Sequence, residues 1–332
     1  MNQKKNPGLM SLLIDPKSIA GIVISIGGIY WAFRDFQFSD FKASIQEVEI
    51  IYLVIATFLL WGSVWLRALR WKWLFKKADS PSVPSLYRAE LIGYFGNNVL
   101  PLRLGELLRS YIVGKENHLS KSFVIGTVVL ERLMDMLALI SLAFLLFLIY
   151  PLEESIRDYV LWSGIISIFT ITIFLIILHR IKIIKADYKI LIIIKRIIDG
   201  ILSIRREMVI PVIISSLLIW CIYWMDVFLL QRAFQFNLSW AQVLTVLVIS
   251  SVALSIPSAP GMIGTFHAAV KYTMVDLFAF SANEGNSFAI LMHAYGYILF
   301  TLLGAYFFMR SQFHDYALKA VLEAGSSESQ KL

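Results

Sequence analysis

The sequence predicts an all-α polytopic membrane protein, with about six full transmembrane helices and two re-entrant or broken helical hairpins arranged as inverted repeats. Three observations carry that expectation. Of the 332 residues, 58% are hydrophobic and only 16% charged, and apolar runs recur near the length of about 20 residues that a helix needs to cross a bilayer. Lys and Arg gather in some loops and acidic residues in others, as membrane topology requires. Finally, two otherwise apolar regions, 84–111 and 240–270, are interrupted by Pro, Gly and polar residues at corresponding places in the two halves.

Residues 1–17 read as a basic cytoplasmic segment. The first apolar run, 18–33, is followed by no small-residue cleavage site, so it reads as a retained helix rather than a removed leader. Further spans are expected at 50–66, 136–152 (extended backwards through Ser122), 159–178, 208–225 and 286–309. The segments RALRWKWLFKK and HRIKIIKADYK are strongly basic, whereas RDFQFSDFKASIQEVE and PLEESIRD are net acidic. Basic loops stay on the cytoplasmic side, which puts both termini inside and the acidic loops outside. The alternation closes if 84–111 and 240–270 each enter and leave by one face. Residues 179–207 mix Ile and Leu with eight Lys or Arg, which suits a helix in the cytoplasmic interface against anionic headgroups, or else a soluble helix packed on the domain. A polar cytoplasmic tail follows at 311–332. The overall charge of +7 is thereby assigned to loops at the membrane, and no nucleic-acid partner is expected. Cys221, the single cysteine, permits no intramolecular disulfide.

The repeat reads from about 50–150 onto about 208–309. Trp61 and Trp65 match Trp220 and Trp224 in spacing. Pro101 with Gly105 then answers to Pro257 with Gly261. Since the charge rule runs the second and fifth spans in opposite directions, the halves read as inverted copies. Broken segments in corresponding positions of inverted copies point to a transport site between them.

An ionisable side chain in the hydrocarbon layer costs at least roughly 2.5–3.5 kcal/mol, so each is a candidate for function with a partner to be found. In NNVLPLRLGELLRSY, Pro101 stops a half-helix and Gly105 permits a tight turn. Arg103, Glu106 and Arg109 follow at spacings of three, on neighbouring positions of one helical face. Asn97 and Asn98 supply hydrogen-bonding groups where the backbone lacks helical partners. In ERLMD, Glu131 and Asp135 lie one turn apart with Arg132 between them. They are expected to meet the arginines of the first stretch, as a pathway or as a purely structural ion network. No His or second acidic motif supports a metal there, and neither metal nor cofactor is expected. In PSAPGMIGTFH, Pro257, Pro260, Gly261 and Gly264 break the chain and expose a half-helix N-terminus. His267 beyond it is a hydrogen-bonded packing residue or a proton carrier. Arg67 and Asp226 occupy corresponding places after the Trp pairs and are expected to pair across the repeats.

RALRW, NNVLPLRLGELLRSY, ERLMD and PSAPGMIGTFH, in this order, resemble the transmembrane flippase-like domain of the lysylphosphatidylglycerol synthase/flippase family, from about residue 19 to 309. The resemblance implies translocation of a phospholipid or lipid-linked headgroup across a bacterial inner membrane. It also implies that Arg103, Glu106, Arg109, Glu131, Arg132 and Asp135 line the headgroup pathway. Two departures qualify it. The soluble aminoacyl-transferase domain of the larger members is expected to be missing, and His267 stands where the family motif usually has Glu. A transport protein is therefore expected rather than an enzyme, with membrane lipids as partners and a separately encoded lipid-modifying enzyme as a further candidate. Alternatives are an integral-membrane lipid-phosphate transferase and a non-transporting subunit of a lipid synthase. The first lacks a phosphate-cradling loop or a nucleotide-binding domain. Oligomeric state is not readable: small-residue patches such as GIVISIGG serve helix association or packing within one chain equally well.

Overall fold

A computed structural model of the chain describes residues 45–76, 80–100, 103–149, 188–255 and 260–311, with isolated positions between them. The N-terminal segment, the spans expected at 18–33 and 159–178 apart from such positions, Pro101, Pro257 and residues 312–332 lie outside the described residues. Among the described residues every regular element is helical. The helices are α1 (Ile50–Trp73), α2 (Val83–Val99), α3 (Gly105–Glu116), α4 (Lys121–Ile149), α5 (Lys189–Ile201), α6 (Val209–Ala233), α7 (Trp240–Ser255), α8 (Thr265–Lys271) and α9 (Ala282–Arg310). Among the described residues, three stretches are long and apolar enough to cross a bilayer: α1, α6 with the turn before it, and α9. The structure thus supports an all-α membrane protein.

Each expected hairpin is a helix, a break and a second helix. In the second, a tight turn at Pro260–Met262 precedes α8, which runs on into a π-helical turn at Tyr272–Leu277. The start of α9 is set by a capping box. Ser281 Oγ accepts from the Glu284 amide, and the Glu284 carboxylate accepts from the Ser281 amide at 2.9 Å, satisfying donors that a helix start leaves open.

The chain divides into two compact units. One is built on Arg88–Ile112 and Ile249–Leu332, the other on Ile50–Tyr87 and Val113–Val248. Each draws on both sequence halves.

In the second unit, α1 and α6 pack along each other in opposite directions, since Arg70 near the end of α1 donates to Ser216 near the start of α6 at 2.9 Å. Helix α4 lies against α1, where Trp71 Nε1 donates to Thr127 Oγ1 at 2.9 Å. Helix α5 sits on α4 through facing glycines: a Cβ at Gly126 would overlap the Ile197 carbonyl, and one at Gly200 the Phe123 carbonyl. The matched Trp pairs have unlike surroundings. Trp61 and Trp65 are 43% and 47% exposed, whereas Trp220 is buried.

In the first unit, α2 and α3 pack on α9. Gly304 of α9 faces the Leu91 carbonyl at a distance that no side chain would fit, Tyr94 stacks on Phe300, and Phe95 meets Phe308 at a tilt. Ile92, Leu100, Leu104, Leu108 and Ile112 form the apolar core between them, with Phe307 and Phe308 against it.

Candidate functional site: two buried charge clusters and two helix breaks

Within the first unit, the break between α2 and α3 carries the densest chemistry. Arg103 sits in the left-handed region at φ 57° and is exposed. Gly105 opens α3 against α2, where a Cβ would overlap the Gly93 carbonyl; Gly96 faces the Gly105 backbone from the other side. This close approach sets Arg109 beside α2, with its side chain against Gly93. The guanidinium, 1% exposed, reaches Glu90 Oε1 at 2.5 Å through Nη1 and Glu106 Oε2 at 2.6 Å through Nη2. Its Nε donates to Glu106 Oε2 at 2.9 Å, and Asn97 Nδ2 donates to Glu106 Oε1 at 3.3 Å. Glu90 is closed off, but the Glu106 side chain keeps 23% of its surface open. A cation buried between two carboxylates in an apolar core is tolerable because the hydrogen bonds replace lost hydration.

The second break lies in the same unit and meets the first through α9. Gly261 (φ 69°) and Gly264 (φ 100°) adopt conformations that disfavour side chains, and the Tyr297 ring occupies the space a Cβ at Gly261 would need. Tyr297 also donates from its hydroxyl to the Asn98 carbonyl at 3.3 Å, while Asn98 Nδ2 donates to Thr301 Oγ1 at 2.8 Å. His267 is buried, accepts from the Gly264 amide through Nδ1 at 3.4 Å and packs edge-on against His293, 4.8 Å between ring centres. His293 in turn touches Tyr297. One helix face thus supports Asn98, Gly261 and His267.

In the second unit, Arg67 and Arg70 project from α1 toward Glu131 and Asp135 of α4. Arg67 Nη2 lies 2.7 Å from Glu131 and 3.1 Å from Asp135; Arg70 Nη1 lies 2.8 Å from Asp135. Arg132 contributes longer contacts, 3.4 Å to Glu131 and 3.3 Å to Asp135, from a side chain that is 40% exposed.

Three charged residues acquire partners here that the sequence does not indicate. Glu131 and Asp135 are expected to meet Arg103 and Arg109; the structure gives them Arg67 and Arg70. The spacing of three on α1 and four on α4 brings both pairs to one helix contact. Arg67, expected to pair with Asp226, reaches the α4 carboxylates Glu131 and Asp135, and Asp226 is a buried residue of α6.

Sequence reasoning missed Glu90, Arg70, Ser216, His293, Tyr297 and Thr301. For Glu90 a signal existed, because it stands alone among apolar and small residues between Arg88 and the break. The α9 residues carry none, since a His, a Tyr and a Thr in a membrane helix are ordinary.

The fold and these clusters define an all-α membrane protein with ionic groups buried in its interior. The chain belongs to the family described as lysylphosphatidylglycerol synthase TM region, whose model matches residues 18–304. It is also similar to the UPF0104 membrane protein MJ1078 of Methanocaldococcus jannaschii, 27% identical over 223 residues that cover 64% of this chain and 93% of that protein. No solved structure matches the chain.

Proposed function

We propose that the protein is a membrane translocase for a phospholipid or lipid-linked headgroup. The observation that carries this reading is the ionic trio at the first break. Glu90, Arg109 and Glu106 are held inside an apolar unit, and Glu106 keeps one side open beside Asn97 and an interrupted backbone. An ion pair serving packing alone has no need of a broken helix next to it, whereas a polar headgroup passing through hydrocarbon needs both. Arg103 engages the headgroup phosphate from the turn, while Arg132 marks the mouth of the second cluster.

In this reading the chain has six spans, the breaks at Gly105 and Gly261 belong to re-entrant hairpins of inverted repeats, and both termini face the cytoplasm of a bacterial inner membrane. The opposite directions of α1 and α6 support the inversion, and the family membership supports a lipid substrate. A separately encoded lipid-modifying enzyme would supply or consume that substrate.

The test is reconstitution into vesicles holding a fluorescent phospholipid, followed by quenching of the outer leaflet. Wild type should make the inner-leaflet pool accessible, and Glu106→Gln should lose most of that rate. Label movement equal to that of protein-free vesicles, across phosphatidylglycerol, phosphatidylethanolamine and a lysyl-modified lipid, would sink the proposal.

A further inference from the structure

Helix α5 carries a continuous apolar arc, of which the protein covers only part. With 3.6 residues per turn, Ile190, Ile193, Ile194, Ile197, Ile198 and Ile201 fall on one side, and Lys195, Arg196 and Asp199 on the other, where Ile192 also lies, 41% exposed. The C-terminal end of the arc is docked: Ile198 and Ile201 are buried with Val129 and Leu133 of α4 packed against their cluster. Toward the N-terminus the same arc emerges, with Ile190 at 61% exposure, Ile193 at 42% and Ile194 at 38%. In water such a row would be a liability; beside a membrane it is an insertion face.

The level at which α5 sits is given by its tethers. Ser203, just past its end, donates to the carbonyl of Leu74, the residue following α1. The helix α6 then starts at Val209. Both α1 and α6 are long enough to span, so α5 is pinned where two spans leave the hydrocarbon. Its surroundings at that level are basic: Lys72 lies in the last turn of α1, and Arg206 and Arg205, the latter 3.1 Å from Glu207, precede α6. The open isoleucines therefore face acyl chains while Lys195 and Arg196 face headgroups, and the excess of positive charge selects anionic ones.

We infer that α5 is an in-plane anchor that binds the surface of an anionic phospholipid bilayer through Ile190, Ile193 and Ile194 with Lys195 and Arg196. The same helix touches Val129 and Leu133, which flank Glu131 and Arg132 in α4. Lipid charge at the surface is thus read by a helix in direct contact with the one that carries the second ionic cluster. This inference stands on the membrane location of the chain and does not require translocase activity.

The experiment places a nitroxide on the full chain at Ile193→Cys or at Arg196→Cys, in a Cys221→Ser background because Cys221 is exposed. The protein is reconstituted in vesicles of dioleoyl phosphatidylcholine alone or mixed with dioleoyl phosphatidylglycerol. The Ile193 probe should relax more with oxygen than with a water-soluble nickel chelate, and the Arg196 probe the reverse, each by about threefold in the mixed vesicles. Association of a spin-labelled phosphatidylglycerol should drop about twofold in Lys195→Gln/Arg196→Gln. An Ile193 probe relaxed by nickel lies in water and overturns the inference. A probe shielded from both reagents shows that protein covers the face and overturns it equally. An unchanged lipid preference in the double variant removes the claim of anionic selectivity.

Discussion

The two ionic clusters use the same residue types to opposite ends. In the α1–α4 cluster, two arginines from one long helix meet two carboxylates from another, and the four side chains are 0–11% exposed. In the α2–α3 cluster one arginine serves two glutamates on either side of a break, and one glutamate stays 23% open. The first arrangement clamps packed helices and resists change. The second holds a carboxylate, Glu106, that keeps part of its surface open where the backbone is interrupted. Both clusters are largely buried, and what separates them is the adjoining backbone, continuous in α1 and α4 and broken between α2 and α3.

Substitutions in and around the two clusters separate them. Glu131→Ala removes a buried carboxylate that lies near both Arg67 and Arg70, and removing one partner of a buried pair costs about 3–5 kcal/mol. Thermal unfolding of the detergent-purified protein should show a lower midpoint than for Glu106→Gln; equal losses would erase the contrast between closed and open clusters. Gly105→Ala forces a methyl group into the Gly93 carbonyl and should cost about 1–3 kcal/mol or more by overpacking. Gly62→Ala, at a helical glycine with nothing within 4 Å of a new Cβ, should instead stabilise by about 0.5–1 kcal/mol. Tyr297→Phe keeps the ring beneath Gly261 but removes its hydrogen bond to Asn98, a loss of about 0.5–1.5 kcal/mol. If translocation falls further than this stability change explains, the link between the two breaks bears on movement. The smallest effect belongs to Arg132→Gln, whose half-exposed pair should contribute under about 1 kcal/mol. A larger stability loss there would place Arg132 in the clamp rather than at its mouth.

Much of the first cluster is legible in the amino-acid sequence alone. Asn97, Gly105, Glu106 and Arg109 stand out because polar and helix-breaking residues are costly in an apolar chain, so their presence needs a reason. Glu90 escapes because its partner lies across the break, and the distance between them depends on how closely Gly93 and Gly96 admit Gly105. For Glu131 and Asp135 the sequence points to the side chains but not to Arg67 and Arg70 as their partners. One-turn spacing says that two residues share a helix face; it does not say which helix that face meets.

The class of the molecule, the placing of the breaks and the residues whose charge demands an explanation are all legible in the amino-acid order. Composition, period and turn chemistry are local properties, and the cost of burying a polar group applies wherever the chain folds. Tertiary structure alone decided that Arg67 and Arg70 answer Glu131 and Asp135, that Glu90 joins Arg109, and that Tyr297 serves both breaks. Those pairings depend on helix register and on close approach at glycine, and both are set by packing between segments far apart in the chain.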